Sequence, residues 1–325
     1  MRRFVWFLMF WILSGIRFCH AEGAAGYISF LLENDTFYNT DGQYSHGTQF
    51  NWTRFKNPSF ILNRWSESFL NRLNRGIVEQ TFTSWSAGRI MFTPDSIKVT
   101  RLIPEDRAYA GCLFVTGTVH QMSGHLSQSF GWTLGIVGPH SYAEGFQDWV
   151  HHMGDWPIPR GWKHQLKDEP IVHVVYCRQW NIEPNVSLIS FRFKPHAGGK
   201  LGTDQTGLIG GMEISCGNTD FRSSTILPES GGEAGGWRLS PGVRVQAFGR
   251  VSGAWMIHDM YLDGSLFRGG HSVEKKPARW TASAGLSVGV GRFTLGYMEV
   301  LQSKQFNGQI RDQRFGIVEV GWGIP

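Results

Sequence analysis

The chain has 325 residues, enough for one large barrel or two ordinary domains, and carries 41 Gly, 23 Phe and 14 Trp but only 18% charged residues. Its formal charge of +5 falls to near +2 once Arg2, Arg3 and Arg17 of the N-terminal segment are set aside, so the basic balance gives no reason to expect a nucleic-acid partner. Cys112, Cys177 and Cys216 lie beyond that segment, and an odd number of cysteines in an exported chain defines no disulfide framework.

Residues 1–21 are expected to be a secretory signal peptide. A basic Met1-Arg2-Arg3 head precedes an apolar run from Phe4 to Leu13, too short to span a bilayer as a helix, and Cys19-His20-Ala21 offers a cleavage site. Residues 22–325 are expected to form a single domain. Strands are expected near 27–33, 46–56, 81–92, 109–121, 129–138, 171–180, 185–194, 207–216, 237–248, 250–258, 280–290, 293–301 and 313–323. Alternation is clearest late in the chain, where Val243, Val245 and Ala247 interleave with Arg244, Gln246 and Phe248; Asp263-Gly264 and Gly289-Val290-Gly291 supply turns. After residue 21 no apolar run is long enough for a spanning helix. Export, aromatic-rich alternating strands and the absence of such a helix predict an all-β fold: a transmembrane antiparallel β-barrel of about 12 strands with short helices in its loops. Closure removes strand edges, which a bilayer requires. From patterning alone, a soluble β-sandwich is the alternative.

Two segments break the strand rhythm. Phe60–Leu73 gathers Ile61, Leu62, Trp65, Phe69, Leu70 and Leu73 on one face, opposite Arg64, Glu67 and Arg72. This is an amphipathic helix expected to pack on the barrel rim or lie at the membrane surface. In Tyr142–Met153, Gln147 and His151 stand four apart and so share a helical face. If the first strand rises from the periplasm, strand parity places the loops after Asn34, around Arg107 and between Gly138 and Glu169 outside, and the 60–73 helix inside.

The richest polar stretch is Glu33-Asn34-Asp35 followed by Thr40-Asp41-Gly42-Gln43-Tyr44-Ser45-His46-Gly47. Asn34, Asp35, Thr40 and Asp41 offer oxygen ligands for a hard cation such as Ca²⁺; the same residue types also cap turns. His151 is a candidate general base, with His152 as its competitor and Gln147 placed to orient a substrate or water. A zinc set of His151, His152, His164 and Glu169 lacks the usual ligand spacing. Arg107 is suited to bidentate binding of phosphate or carboxylate, or to a rim salt bridge. No GxSxG motif marks a nucleophile, and Ser45 and Ser141 have no distinguishing neighbours.

Several motifs recur in order: Glu33-Asn34-Asp35-Thr36-Phe37, Thr40 to Gly47, Phe92-Thr93-Pro94, Asp106-Arg107-Ala108-Tyr109-Ala110-Gly111, Gly138-Pro139-His140-Ser141 with Gln147 and His151, Gly161-Trp162 through Gln165-Leu166 to Glu169-Pro170, Leu262-Asp263-Gly264, and Phe306-Asn307-Gly308-Gln309. Together, from about residue 27 to the end, they resemble the lipid A 3′-O-deacylases of Gram-negative outer membranes. The resemblance implies a 12-stranded barrel with its site at the outer rim, between the wall and a loop helix and facing the outer leaflet. It implies Ca²⁺-dependent hydrolysis of the 3′-linked acyl or acyloxyacyl chain of lipid A. His151 would activate water, Asp35 and Asn34 would hold Ca²⁺, Arg107 would bind a phosphate or steady the oxyanion, Gln147 would support the site and Ser45 would touch substrate. The expected partners are lipid A or lipopolysaccharide and outer-membrane lipids, with the protein a monomer. Departures from the pattern are Ser45 and His46 for Thr and Asn, Ala108 for Pro, a loop helix about one residue short at its end, and a final Trp322-Gly323-Ile324-Pro325 without the terminal Phe common in barrels. Two rival functions remain: a silent barrel acting as a pore or binding protein, and a phospholipid esterase, which requires a serine beside a histidine.

Overall fold

A computed structural model describes residues 26–35, 42–55, 59–74, 76–184, 190–218, 221–222, 236–237 and 242–324. The expected signal peptide lies outside these residues, as do Thr36, Phe37, Thr40 and Asp41.

Twelve strands close into an antiparallel barrel. They are β1 (Gly26–Asn34), β2 (Gln43–Arg54), β3 (Gln80–Thr93), β4 (Ala110–Ser123), β5 (Leu126–Val137), β6 (Glu169–Trp180), β7 (Ser190–Gly202), β8 (Gln205–Gly217), β11 (Val243–Asp259), β12 (Ala278–Val290), β13 (Phe293–Gln302) and β14 (Gln313–Ile324). A separate ribbon of β9 (Phe221–Arg222) and β10 (Gly236–Trp237) intervenes. Closure is made by β1 against β14, from Gly26 opposite Ile324 to Asn34 opposite Gly316.

The expected all-β barrel is present, with two corrections to its strands. β7, expected at 185–194, runs through Ser190–Gly202. Segments 237–248 and 250–258 were expected as two strands, but Val243–Asp259 is continuous. Gly249 reads as a break in the sequence; in the sheet it is paired on both sides, opposite Ala284 and Ile214.

Side chains alternate across the wall as the strand period demands. In β1, Ser29, Leu31 and Glu33 are buried toward the interior while Phe30 is exposed outward; Phe50 and Trp52 of β2 likewise face out. The interior is polar where Glu213 receives both Lys194 and Arg250. At one end it is closed by an apolar cluster including Leu31, Tyr44, Phe92 and Phe315, onto which α3 (Met260–Asp263) lowers Met260 and Tyr261.

The other two helices flank the barrel. α1 (Ile61–Leu73) follows β2 at one rim, and α2 (Ala143–Gly154) lies in the β5–β6 loop at the opposite rim, which also carries α3. The amphipathic helix is where the sequence places it: Asn63, Ser66 and Leu70 turn to the wall, while Ile61, Trp65 and Phe69 are exposed, as are Arg64 and Arg72. Among the described residues no helix is long and apolar enough to cross a membrane.

Candidate active site on the outer wall

The site is built on the outward face of β1–β3. Between Tyr44 and His46 the β2–β3 register shifts: Tyr44 lies opposite Phe92 and His46 opposite Met91, so Ser45 is an extra residue. Such a bulge re-aims the side chains beyond it. Tyr44 turns inward and donates its hydroxyl hydrogen bond to Glu33, while His46 joins the residues that face α2. Ser45 shares a hydrogen bond with the hydroxyl of Thr93.

α2 is laid across this wall by close contact. At Gly111 of β4 an added Cβ would collide with Ala143 and the Ser141 hydroxyl, so only glycine admits the helix here. Met91, Tyr109, Ala143 and Trp162 form the apolar cluster beneath it. Asp168 fixes the preceding turn, accepting from the His140 backbone N–H at 2.9 Å and from its Nδ1–H at 2.7 Å. Burial alone raises the Asp168 carboxyl; the His140 hydrogen bonds and charge, with Arg268, outweigh it and hold the carboxyl below its ordinary value.

Between wall and helix lies a narrow cleft, lined by Asn34, Asp35, Ser45, His46 and Met91 on one side and by Phe146, Gln147, Val150, His151 and Trp156 on the other. His151 donates from Nδ1 to the Pro157 carbonyl at 2.7 Å. That bond fixes the neutral tautomer with the lone pair on Nε2, the form a general base needs. Gln147, one turn earlier, accepts from Trp162 Nε1–H at 2.8 Å, which settles which end of its amide is held. Asp35 accepts from the Gly42 N–H at 2.8 Å. Asn34 Nδ2 donates to His46 Nδ1 at 3.2 Å, and His46 Nε2–H donates to Thr48 Oγ1 at 2.8 Å. A carboxylate, an amide and a hydroxyl on one side of the cleft form a hard-oxygen donor set of the kind Ca²⁺ takes.

The structure thus brings together Asn34, Asp35, Ser45, Gln147 and His151. It does not bring Arg107 to the cleft lining. That side chain is fully buried, its guanidinium 5.0 Å from the Phe92 ring and 5.7 Å from the Phe306 ring, and it donates to Gln305. His152 is exposed and donates to the Asp148 carbonyl at 2.8 Å. The zinc set is not assembled: Glu169 instead accepts backbone N–H bonds from Leu266, Phe267 and Arg268. No group of three metal-ligating His, Cys, Asp or Glu occurs among the described residues. Two Ser–His hydrogen bonds, Ser84–His120 and Ser252–His196, belong to barrel strands away from the cleft.

His46 was marked in the sequence only as a departure from the family pattern, and Arg89, Phe146 and Trp156 were not singled out. Arg89 stands 4.8 Å from the Phe146 ring and brings positive charge to the site. Its signal was positional: it precedes Met91 by two residues and therefore shares the outward face of β3.

A closed antiparallel barrel with apolar side chains outward and charged ones within is the architecture of an outer-membrane protein. The family model for outer membrane protein LpxR matches residues 5–324, and the chain belongs to that family of outer-membrane proteins. Among solved structures, LpxR from Salmonella typhimurium aligns with TM-score 0.75 at 13% identity, covering 91% of this chain and 99% of that one. The β domain of the Bordetella autotransporter BrkA aligns with TM-score 0.45 at 10% identity, covering 93% and 100%. No curated protein sequence matches the chain. The family read from the ordered motifs is therefore the family found.

Proposed function

We propose that this protein is a lipid A deacylase that hydrolyses the 3′-linked acyl ester, with the α2 rim facing the outer leaflet. The observation that carries the reading is His151 in its base tautomer, set across one cleft from Asn34 and Asp35 on the outside of the wall. A lipid ester at the headgroup–acyl boundary enters such a cleft sideways, without leaving the bilayer. His151 Nε2 removes a proton from water as the water oxygen bonds to the ester carbonyl carbon. Collapse of the tetrahedral intermediate breaks the bond to the sugar oxygen, which takes the proton from the imidazolium. Pro157 O holds the imidazole ring in place throughout, and Gln147 orients water or ester from one helical turn away.

Asp35 and Asn34, with Ser45 beside them, would hold Ca²⁺. Bound there, the ion supplies a Lewis acid for the ester carbonyl and its oxyanion. Arg89 supplies positive charge for the anionic headgroup. Arg107, enclosed between Phe92 and Phe306, would act by positioning the β3–β4 loop. The phospholipid-esterase reading is less favoured, because among the described residues Ser45 is hydrogen-bonded to Thr93 and Ser141 to the Gly138 carbonyl rather than to a histidine.

The test is mass spectrometry of lipid A from cells expressing the wild type, His151→Ala and Asp35→Ala. Loss of the 3′ chain is expected with the wild type alone and is abolished by a Ca²⁺ chelator. Unmodified lipid A beside a correctly assembled wild-type barrel overturns the proposal.

A further inference from the structure

The outward wall of β4 and β5 carries groups that hydrocarbon cannot satisfy. Leu113 and Val115 of β4 and Leu134 of β5 are exposed outward, so alternation puts Gln121, Gln128 and Trp132 on the same lipid-facing side. Each of the three finds its partner in α1. Trp132 Nε1–H donates to Asn63 Oδ1 at 2.7 Å, Gln121 Nε2 to Asn71 Oδ1 at 2.6 Å, and Gln128 Nε2 to the Leu70 carbonyl at 3.1 Å. At Gly117 an added Cβ would meet Trp132 and Asn63, so the helix sits directly on the strand. Asn63 stands level with Gly117, in the middle of β4, and Asn71 lies nearer the strand's end. The helix therefore climbs the wall from the rim and does not project from it.

Its outer face continues the barrel's apolar belt. Phe60 lies 5.4 Å from Trp85 and Phe69 4.6 Å from Phe130, ring to ring, both partners being wall residues. Beyond them Ile61 is 53% and Trp65 68% exposed. A helix that turns its amides to its own protein and its aromatic rings outward is inverted for water and correct for lipid. Left in water, it would expose that face for no gain.

We propose that α1 is a lipid-binding surface, embedded beside β4 and β5 in the periplasmic leaflet and contacting the acyl chains of glycerophospholipids there. Arg64 and Arg72 flank its apolar face, with stems long enough to reach the headgroup phosphates. The choice of leaflet rests on the orientation proposed above; the contact with lipid rests on the wall alone.

The test places the photocrosslinker p-benzoylphenylalanine at position 65, and separately at 61 and at 134 as the wall reference, in full-length protein in intact outer membranes. After irradiation, mass spectrometry is expected to find glycerophospholipid adducts at positions 65 and 61, and lipid A adducts at 134, which lies toward the α2 rim. Adducts at 134 with none at 65 and 61, or crosslinks from 65 to another protein, overturn the proposal. Lipid A adducts at 65 overturn the leaflet and the orientation together. Deacylation assayed on the same membranes fails or succeeds independently of these results.

Discussion

The tautomer of His151 is set by one carbonyl, and the orientation of the Gln147 amide by one indole. Trp162→Phe keeps the ring in the cluster beneath α2 and removes only the Nε1–H that holds Gln147. Losing such a bond costs about 1 kcal/mol, or roughly a five-fold drop in rate. Turnover of lipid A by the assembled variant measures it; an unchanged rate shows that the Gln147 amide needs no such hold. Asp168 acts one step further out, on the turn that launches α2. Its carboxyl is held below its ordinary value in the fold, so its contribution is present above the unfolded carboxylate pKa of about 4 and is lost as pH falls through the lowered folded value. Hydrogen exchange at Gly138–Ala143 is therefore expected to quicken at the acid end of that range in the wild type and to be quick at all pH values in Asp168→Ala.

At the scale of elements, α2 depends on the absence of a side chain at Gly111. Gly111→Leu is expected to lift the helix from the wall and remove activity by at least tenfold, while the strands still pair. Heat-modifiable migration on a gel reports the folded barrel and lipid A analysis reports the loss; full activity in the variant shows that α2 is not seated as described. The elements also show what a sequence can and cannot reveal. The strands of the barrel were legible because period-2 alternation is a local signal, and Gln147 and His151 were legible as a pair because four residues make one helical turn. The continuity of β11 through Gly249 was not, since a glycine in a strand and a glycine in a turn differ only in what lies opposite. The Ser45 bulge was equally hidden, and with it the outward turn of His46. Arg107 was legible as an anion-binding or salt-bridging arginine in an ordered motif, but the motif does not encode which side of the wall its guanidinium takes. For α1, periodicity marked the helix and its apolar residues but left open whether they pack on the rim or meet the membrane, because the amides that hold the wall carry no periodic signal.

Across the whole molecule, the wall separates two environments with different tasks. At the α3 end the described residues Tyr44, Phe92, Tyr261 and Phe315 pack into one apolar cluster within the interior. In planar bilayers the purified barrel is expected to show no steady porin-like conductance. A sustained open channel restores the pore reading and removes the apolar closure described here. What remains for function is the outside, and that placement has a kinetic consequence. A cleft that opens sideways meets its substrate only by lateral diffusion, so its working concentration is a surface density, counted per area of leaflet and not per litre. Diluting the substrate with inert lipid, at constant total substrate, slows such a protein as surely as removing substrate does. Neighbouring lipids are then competitors by their mole fraction alone, and the composition of the leaflet becomes a control on the rate.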